Sequence, residues 1–337
     1  MKNADFLTGI TTSGTPHLGN YVGAIRPAVK TSKDKDITSY YFLADYHSLI
    51  KNSDPELRKQ STLEIAAAWI AMGLDYENCV FYRQSDIPEI PELTWILTCL
   101  AAKGLMNRAH AYKAVAAQNV ETGQKDQDKG ITMGLFSYPI LMAADILMFN
   151  ARKVPVGKDQ VQHLEMTRDI AGRFNHVYKK IFILPQVVVD ENSAVLSGLD
   201  GRKMSKSYNN FIPLFDTQKR FRKQIMKIKT NSLGPEEPKD PETCTLFSIY
   251  KAFATNAQTK ELKKRYQEGI AWGEMKQELF EYINEVLKDP RQKYSELIKN
   301  PGDIEQILEK GALKAREFSV PFLEKIRKII GIQSLNT

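Results

Sequence analysis

FLTGITTSGTPHLGNYVGA, residues 6–24, passes from an apolar run of strand length through a polar turn into a segment of helical character. The run Phe6 to Ile10 ends at Thr11, Thr12, Ser13 and Gly14, and the next element opens with His17, Gly19 and Asn20. The first backbone N–H groups of a helix lack intrahelical acceptors and carry partial positive charge, so a strand, turn and helix of this composition suit an anion. The stretch predicts a phosphate-holding turn at the end of the first strand of an α/β sheet.

Working outward, the alternation repeats. A helical segment from Asn20 to about Lys30 is followed by YYFLADYHSLI (40–50), then by a helix opened by Asp54, Pro55 and Glu56, then by CVFYRQS (79–85) and a helical segment from Pro91 to Leu105. Such a pattern implies a mainly parallel sheet with crossover helices. Ligands in that architecture bind outside the carboxyl ends of the strands, where Asp45 and His47 would meet the same crevice as the turn. Residues 114–130, AVAAQNVETGQKDQDKG, are polar and read as a mobile loop. Helical blocks then begin at Tyr138 (YPILMAADILMFN) and, after VPVG, at Lys158 (KDQVQHLEMTRDIAGRFN), with a weak strand signal from Gln186 to Val189. Beyond Ile212 the pattern is almost wholly helical. A boundary near Asn210 therefore gives a sheet-containing catalytic domain over 1–210 and an α-helical domain over 211–337, whose last helix is free to pack back on the first.

The 337 residues are 42% hydrophobic and 26% charged, the balance of a soluble globular protein, with no stretch of about 18 apolar residues to span a membrane. The N-terminus has no export signal, so a cytoplasmic location is expected. Cys79, Cys99 and Cys244 are far apart and read as buried free thiols, with no zinc-ligand spacing. A net charge of +7 suits a polyanionic partner without requiring one.

The second informative stretch is GRKMSKSYNN, 201–210, in which Lys203 and Lys206 sit in a Gly- and Ser-bearing loop able to close over a polyphosphate. Alone, a KxxK loop is usually solvated surface, and a His beside a Gly at a helix start is usually a cap. Together, in this order and at this separation, HLGN (17–20) and KMSKS (203–207) resemble the two signatures of the class I aminoacyl-tRNA synthetases, which carry them after the first and last strands of a Rossmann-like catalytic domain. The asparagine ending HLGN, the blocks YPILMAADIL and VPVGKDQVQHLEMTRDIAGRFN, and the C-terminal GALKAREFSVPFLEKIRK are similar to the bacterial tryptophanyl branch. The tyrosyl branch more often ends the first signature in histidine and has glutamine where Met142 stands.

The resemblance implies a tryptophan–tRNA ligase. It would activate L-tryptophan with ATP to tryptophanyl-AMP and pyrophosphate, then transfer tryptophan to the 3′-terminal adenosine of tRNA(Trp). The family pattern puts His17, Asn20, Lys203 and Lys206 on the phosphates, with Mg²⁺ accompanying ATP. Thr11, Ser13, Gly19, Gly157, Asp159, Met204, Ser205 and Ser207 would complete the ATP site, although Thr11 and Ser13 serve equally as caps and Asp159 as a partner of a helix dipole. Asp145, a carboxylate within an apolar helix, would accept the indole N–H, a structural ion pair being the alternative. Tyr138 and Gln160 would hold the α-amino group, and Leu7, Gly9, His47, Met142, Val154 and Val156 would line the tryptophan pocket.

Three departures from the family pattern stand out. Ala114 and Val115 follow Lys113 where a second phosphate-contacting lysine is common, leaving Lys125 or Lys129 to substitute. Leu7 stands where an aromatic would stack better on indole, and Cys244 is the only cysteine after Cys99, so an iron–sulfur cluster is not expected. The helical part would read the anticodon, with Lys219, Arg220, Arg222, Lys223, Lys227 and Lys229 as its basic stretch or simply a solvated face. A homodimer is implied by the resemblance alone. The rival readings are a tyrosyl-tRNA synthetase and a non-catalytic synthetase-like RNA-binding protein.

Overall fold

The computed structural model describes residues 2–50, 52–157, 160–188 and 196–335. Asp159, the side chain of Ser207 and Val189 at the end of the expected last strand lie outside the described residues.

Strand β1 (Phe6–Thr11) leads into α1 (Leu18–Asn20), a π-helical turn (Tyr21–Ile25) and α2 (Arg26–Ser32). Strand β2 (Ser39–Ala44) precedes α3 (Asp45–Ser48) and α4 (Pro55–Ala71), and β3 (Val80–Arg83) precedes α5 (Glu89–Thr98), α6 (Lys103–Met106), α7 (His110–Glu121) and α8 (Met133–Met148). After β4 (Lys153–Pro155), α9 (Val161–Val177) and β5 (Gln186–Val188) come α10 (Gln218–Met226), α11 (Thr245–Phe253), α12 (Asn256–Glu268), α13 (Trp272–Val286), α14 (Lys288–Lys299) and α15 (Pro301–Ile330). Among the described residues the strands form one parallel sheet in the order β3-β2-β1-β4-β5. The order reverses between β1 and β4, which opens a crevice at their carboxyl ends. All six residues of β2 are buried, as a central strand covered by helices on both faces requires.

Local chemistry accounts for several boundaries. Asp54 accepts from the N–H groups of Glu56 and Leu57 at 2.9 and 3.1 Å and Pro55 takes the first helical position, so α4 starts where the sequence signals it. The hydroxyl of Thr132 caps α8 through Leu135 N–H, so the helix begins at Met133, five residues before the expected start. Residues 114–121 continue α7, against the loop expected there. AVAAQNVE is made largely of good helix formers, and because α7 buries none of its residues it has no apolar period to announce it. The helix expected over 91–105 breaks between Thr98 and Lys103, and Cys99, beyond the last turn of α5, is exposed rather than buried.

One face of the sheet, with Ile10, Tyr41, Leu43 and Phe81, shares its core with Ile212, Phe221, Leu246 and Leu279 from the second half of the chain. The other face, with Leu7, Tyr40, Phe42 and Tyr82, packs against α5, α8 and α9 and against Ala315, Leu323 and Ile326 of α15. Thus α15 returns to the sheet beside its outer strand β3. Glu89, 7% exposed, accepts from Arg316 at 2.9 Å and from Ser319 at 3.1 Å, and Arg327 pairs with Glu92. Gly311 brings the helix so close to β3 that a Cβ there would fall 1.6 Å from the carbonyl oxygen of Phe81. Gly311→Ala is therefore expected to lower stability by about 1–3 kcal/mol as the helix is pushed off the strand. Gly302→Ala, in the same helix with nothing among the described residues within 4 Å of its Cβ position, is the control. Equal melting temperatures for the two variants would refute the close contact.

Candidate active site

The turn after β1 is held from several sides. Gly14, at φ +87°, donates its N–H to Ser61 Oγ at 2.6 Å, and that hydroxyl donates in turn to Leu57 O. Asn20 Oδ1 accepts from His17 N–H at 3.0 Å, which orients the amide at the helix start. His17 is 8% exposed, and its Nδ1 has no partner among the described residues. Burial, reinforced by the nearby Lys206 ammonium, holds its pKa down to about 4, so the imidazole is neutral at pH 7. A Cβ at Gly19 would lie 2.9 Å from that ring, which explains the glycine.

The lysine loop is docked on this turn. Leu18 N–H donates to Ile212 O at 3.0 Å and Leu214 N–H to Pro16 O at 2.9 Å, an antiparallel bridge joining the HLGN segment to the chain just beyond the loop. Lys206 Nζ donates to the carbonyls of Ser13 and Gly14, both at 2.7 Å, and burial lowers its pKa to about 8. Asn210, buried, ties the loop to itself: its Oδ1 accepts from Ser205 N–H at 2.8 Å and its Nδ2 donates to Asp200 at 2.7 Å and Lys203 O at 3.1 Å. Met204 is buried, its N–H on Leu196 O, whereas Lys203 is exposed and its backbone bridges to Ser197.

A cavity of about 480 Å³ opens at the β1/β4 switch point. The nine residues expected around tryptophan, Leu7, Gly9, His47, Tyr138, Met142, Asp145, Val154, Val156 and Gln160, all line it, as do Thr11, Ser13 and Gly157 from the expected ATP set. Gly9 keeps its floor open, since a Cβ there would lie 2.4 Å from the ring of Phe42. His17, Asn20, Lys203 and Lys206 are not among the lining residues and stand beside it, joined through Lys206 to Ser13.

Two polar networks line the cavity wall. Asp145, 1% exposed on α8, receives Gln84 Nε2 on Oδ1 at 2.7 Å and pairs through Oδ2 with His47 Nε2 at 2.9 Å. Burial pushes its pKa up while these two partners oppose the rise. Gln84 is fully buried, and its Oε1 accepts from Tyr46 N–H, so the amide can present only its NH₂ to Asp145. In the second network, His163 on α9 lies between Tyr138 Oη, 2.8 Å from its Nε2, and Gln160 Oε1, 3.0 Å from its Nδ1.

Gln84, Ser61, Asn210 and His163 are not among the residues expected from the sequence. Gln84 directly follows the third strand at its carboxyl edge, a position that marks it in retrospect; nothing in the pattern distinguishes the others. Among the lysines considered as replacements on the loop, Lys129 bonds Gln124 at 2.8 Å and Lys125 is exposed. Of the basic stretch, Lys219 to Lys223 lie on α10, with Arg222 on Gln277, while Lys227 and Lys229 follow the helix.

A family model described as tRNA synthetases class I (W and Y) matches residues 1–288. The tryptophan–tRNA ligase of Neisseria meningitidis serogroup A is 57% identical over 335 residues, which are 99% of this chain and 100% of that protein. The Pseudomonas aeruginosa tryptophan–tRNA ligase is 58% identical over 332 residues, 98% of this chain and 74% of that one. The crystal structure of tryptophanyl-tRNA synthetase from Campylobacter jejuni complexed with ADP and tryptophan matches with a TM-score of 0.84 at 44% identity, covering 97% of this chain and 99% of that one. With its Rossmann-like parallel sheet and paired signatures, the chain belongs to the class I tRNA synthetases of the tryptophan and tyrosine type, in the group of bacterial tryptophan–tRNA ligases.

Proposed function

We propose that the cavity at the switch point holds L-tryptophan and that ATP lies along the turn 11–20 beneath loop 201–210. The chain is a tryptophan–tRNA ligase, and the observation that carries its assignment to this cavity is Asp145, a buried carboxylate in a largely apolar wall. An indole presents one N–H, and burying it without an acceptor costs about 1–3 kcal/mol. Asp145, oriented by Gln84 and His47, supplies that acceptor, while Met142, Leu7, Val154 and Val156 pack on the ring and Tyr138 and Gln160 receive the α-ammonium.

The tryptophan carboxylate oxygen attacks the α-phosphorus. The bond to the bridging oxygen breaks, and pyrophosphate departs with that electron pair. No protein nucleophile takes part; the work is positioning and charge stabilisation. Neutral His17 and the Asn20 amide donate hydrogen bonds to phosphate oxygens, and Lys206, exchanging the Ser13 and Gly14 carbonyls for phosphate, stabilises the departing charge together with Lys203. Gly157, Asp159, Met204, Ser205 and Ser207 complete the nucleotide site. Mg²⁺ is expected to travel with the triphosphate, as in the family this chain belongs to. A ribose hydroxyl of the terminal adenosine then attacks the activated carbonyl, and AMP leaves.

Residues 211–337 serve as the anticodon-recognition part, with the basic face of α10 on tRNA phosphates. The working unit is a homodimer in the cytoplasm. Exposed apolar side chains such as Trp95 and Met133, 68% and 73% exposed, support a partner surface, and among the described residues no helix is long and apolar enough to cross a membrane.

Amino-acid-dependent exchange of labelled pyrophosphate into ATP, without tRNA, is expected with tryptophan and not with tyrosine or phenylalanine; exchange with tyrosine would overturn the pocket reading. Asp145→Asn should reduce kcat/KM for tryptophan by about 10- to 100-fold with KM for ATP little changed. An alkaline limb is expected as well. The ammonium is the active form of Lys206 and its pKa is lowered to about 8, so kcat/KM for ATP should fall above that pH by about tenfold per unit. Lys206→Arg should remove the limb, and an identical limb in that variant would clear Lys206 of the role.

A further inference from the structure

The Tyr138, His163, Gln160 chain carries information about polarity as well as position. His163 is 2% exposed and sits in the first turn of α9, its ring centroid 5.1 Å from that of Tyr138 on α8. Its Nδ1 is 3.0 Å from Gln160 Oε1, an oxygen with no hydrogen to give, so Nδ1 must carry the proton. In the neutral ring the lone pair is then on Nε2, and the hydrogen in that 2.8 Å contact is the phenolic one of Tyr138. The phenol's single hydrogen is thereby directed at the histidine. Toward any other donor, Tyr138 Oη acts as an acceptor, and Gln160 Oε1 is an acceptor by nature. Both residues line the cavity. Two oxygens of acceptor polarity match an ammonium, which has three N–H donors and no acceptor.

We propose that His163 is a positioning residue for substrate recognition: held as the Nδ1–H tautomer between Tyr138 and Gln160, it turns both toward the tryptophan α-ammonium as acceptors. This rests on the reading that Tyr138 and Gln160 receive that ammonium. With the proton on Nε2 instead, the phenol would accept from the histidine and point its own hydrogen outward, donor against donor. The imidazole thus acts through two side chains without touching the substrate.

The test compares L-tryptophan with 3-(indol-3-yl)propionate, which keeps the indole and the carboxylate and lacks the ammonium, by equilibrium binding to the full-length protein. His163→Phe keeps a ring and removes both hydrogen bonds. It is expected to weaken tryptophan by about 10- to 100-fold and the deamino compound by less than about threefold. His163→Gln, whose amide oxygen accepts from Tyr138, should recover part of the loss and serves if the Phe variant does not fold. Equal weakening of both ligands, or no weakening of tryptophan, overturns the proposal. Tyr138→Phe separates the two levels of the argument. If it leaves the preference for tryptophan over the deamino compound intact, the ammonium reading itself fails; if it removes the preference while His163→Phe does not, only the role of His163 falls. The ¹⁵N spectrum of histidine-labelled protein, with the His163 signals identified by their loss in His163→Gln, should show a protonated Nδ1 and a bare Nε2. The opposite tautomer would refute the polarity argument directly.

Discussion

The constraint on which the site depends is the pair of backbone hydrogen bonds that joins Leu18 to Ile212 and Leu214 to Pro16. These residues are some two hundred positions apart, yet they bring the turn after β1 and the lysine loop to within one side chain's reach. Neither segment has a core of its own. The turn is built of Thr, Ser and Gly and is held from α4 by Ser61, the loop relies on Asn210 for its internal bonds, and the two backbone bonds set one against the other. Lys206 completes the arrangement by resting on two carbonyls of the turn, a cation on backbone oxygens that gives way readily to a better anionic partner.

Around the cavity, the design is a small amount of polarity fully accounted for. Helix α8 supplies Tyr138, Met142 and Asp145 from one face, as positions separated by three and four residues must. A buried carboxylate is destabilising unless its oxygens are bonded, and Asp145 meets that condition through residues at the ends of β2 and β3, that is, through the carboxyl edge of the sheet itself. The second network runs from α8 to α9. Side-chain orientation is fixed in both cases by a residue that the substrate need not touch: Gln84 for Asp145, His163 for Tyr138 and Gln160.

How much of this was legible in the sequence follows from how local each signal is. The strand before the turn, the Asp54 cap and the spacing of Tyr138, Met142 and Asp145 depend on neighbours in the chain, and all were readable. Strand β4 was not, because three residues, Lys153, Val154 and Pro155, are too few to show alternation, and they count as a strand only through pairing with Phe6 and with Gln186 to Val188. Helix α7 was missed for the opposite reason: it is helical by propensity alone, with no buried stripe. His163 and Gln84 each look like one polar residue among many until α8 is placed beside α9 and β3 beside β2. Their partners are chosen by tertiary packing, to which sequence periodicity is blind.

Helix α15 has a consequence for the order of events in synthesis. Strand β3 is one of the two outer strands of the sheet among the described residues, and its cover, the helix that presses Gly311 against Phe81, is α15, at Pro301–Ile330. The ribosome makes the strand some 220 residues before it makes the cover, about 10–40 s earlier at ordinary elongation rates of about 5–20 residues per second. For that interval a hydrogen-bonding edge of Val, Phe and Tyr lies open, the kind of edge that recruits strands from other chains. The nascent protein thus passes through a stage more prone to aggregation than its folded form, and the stage ends only when α15 emerges.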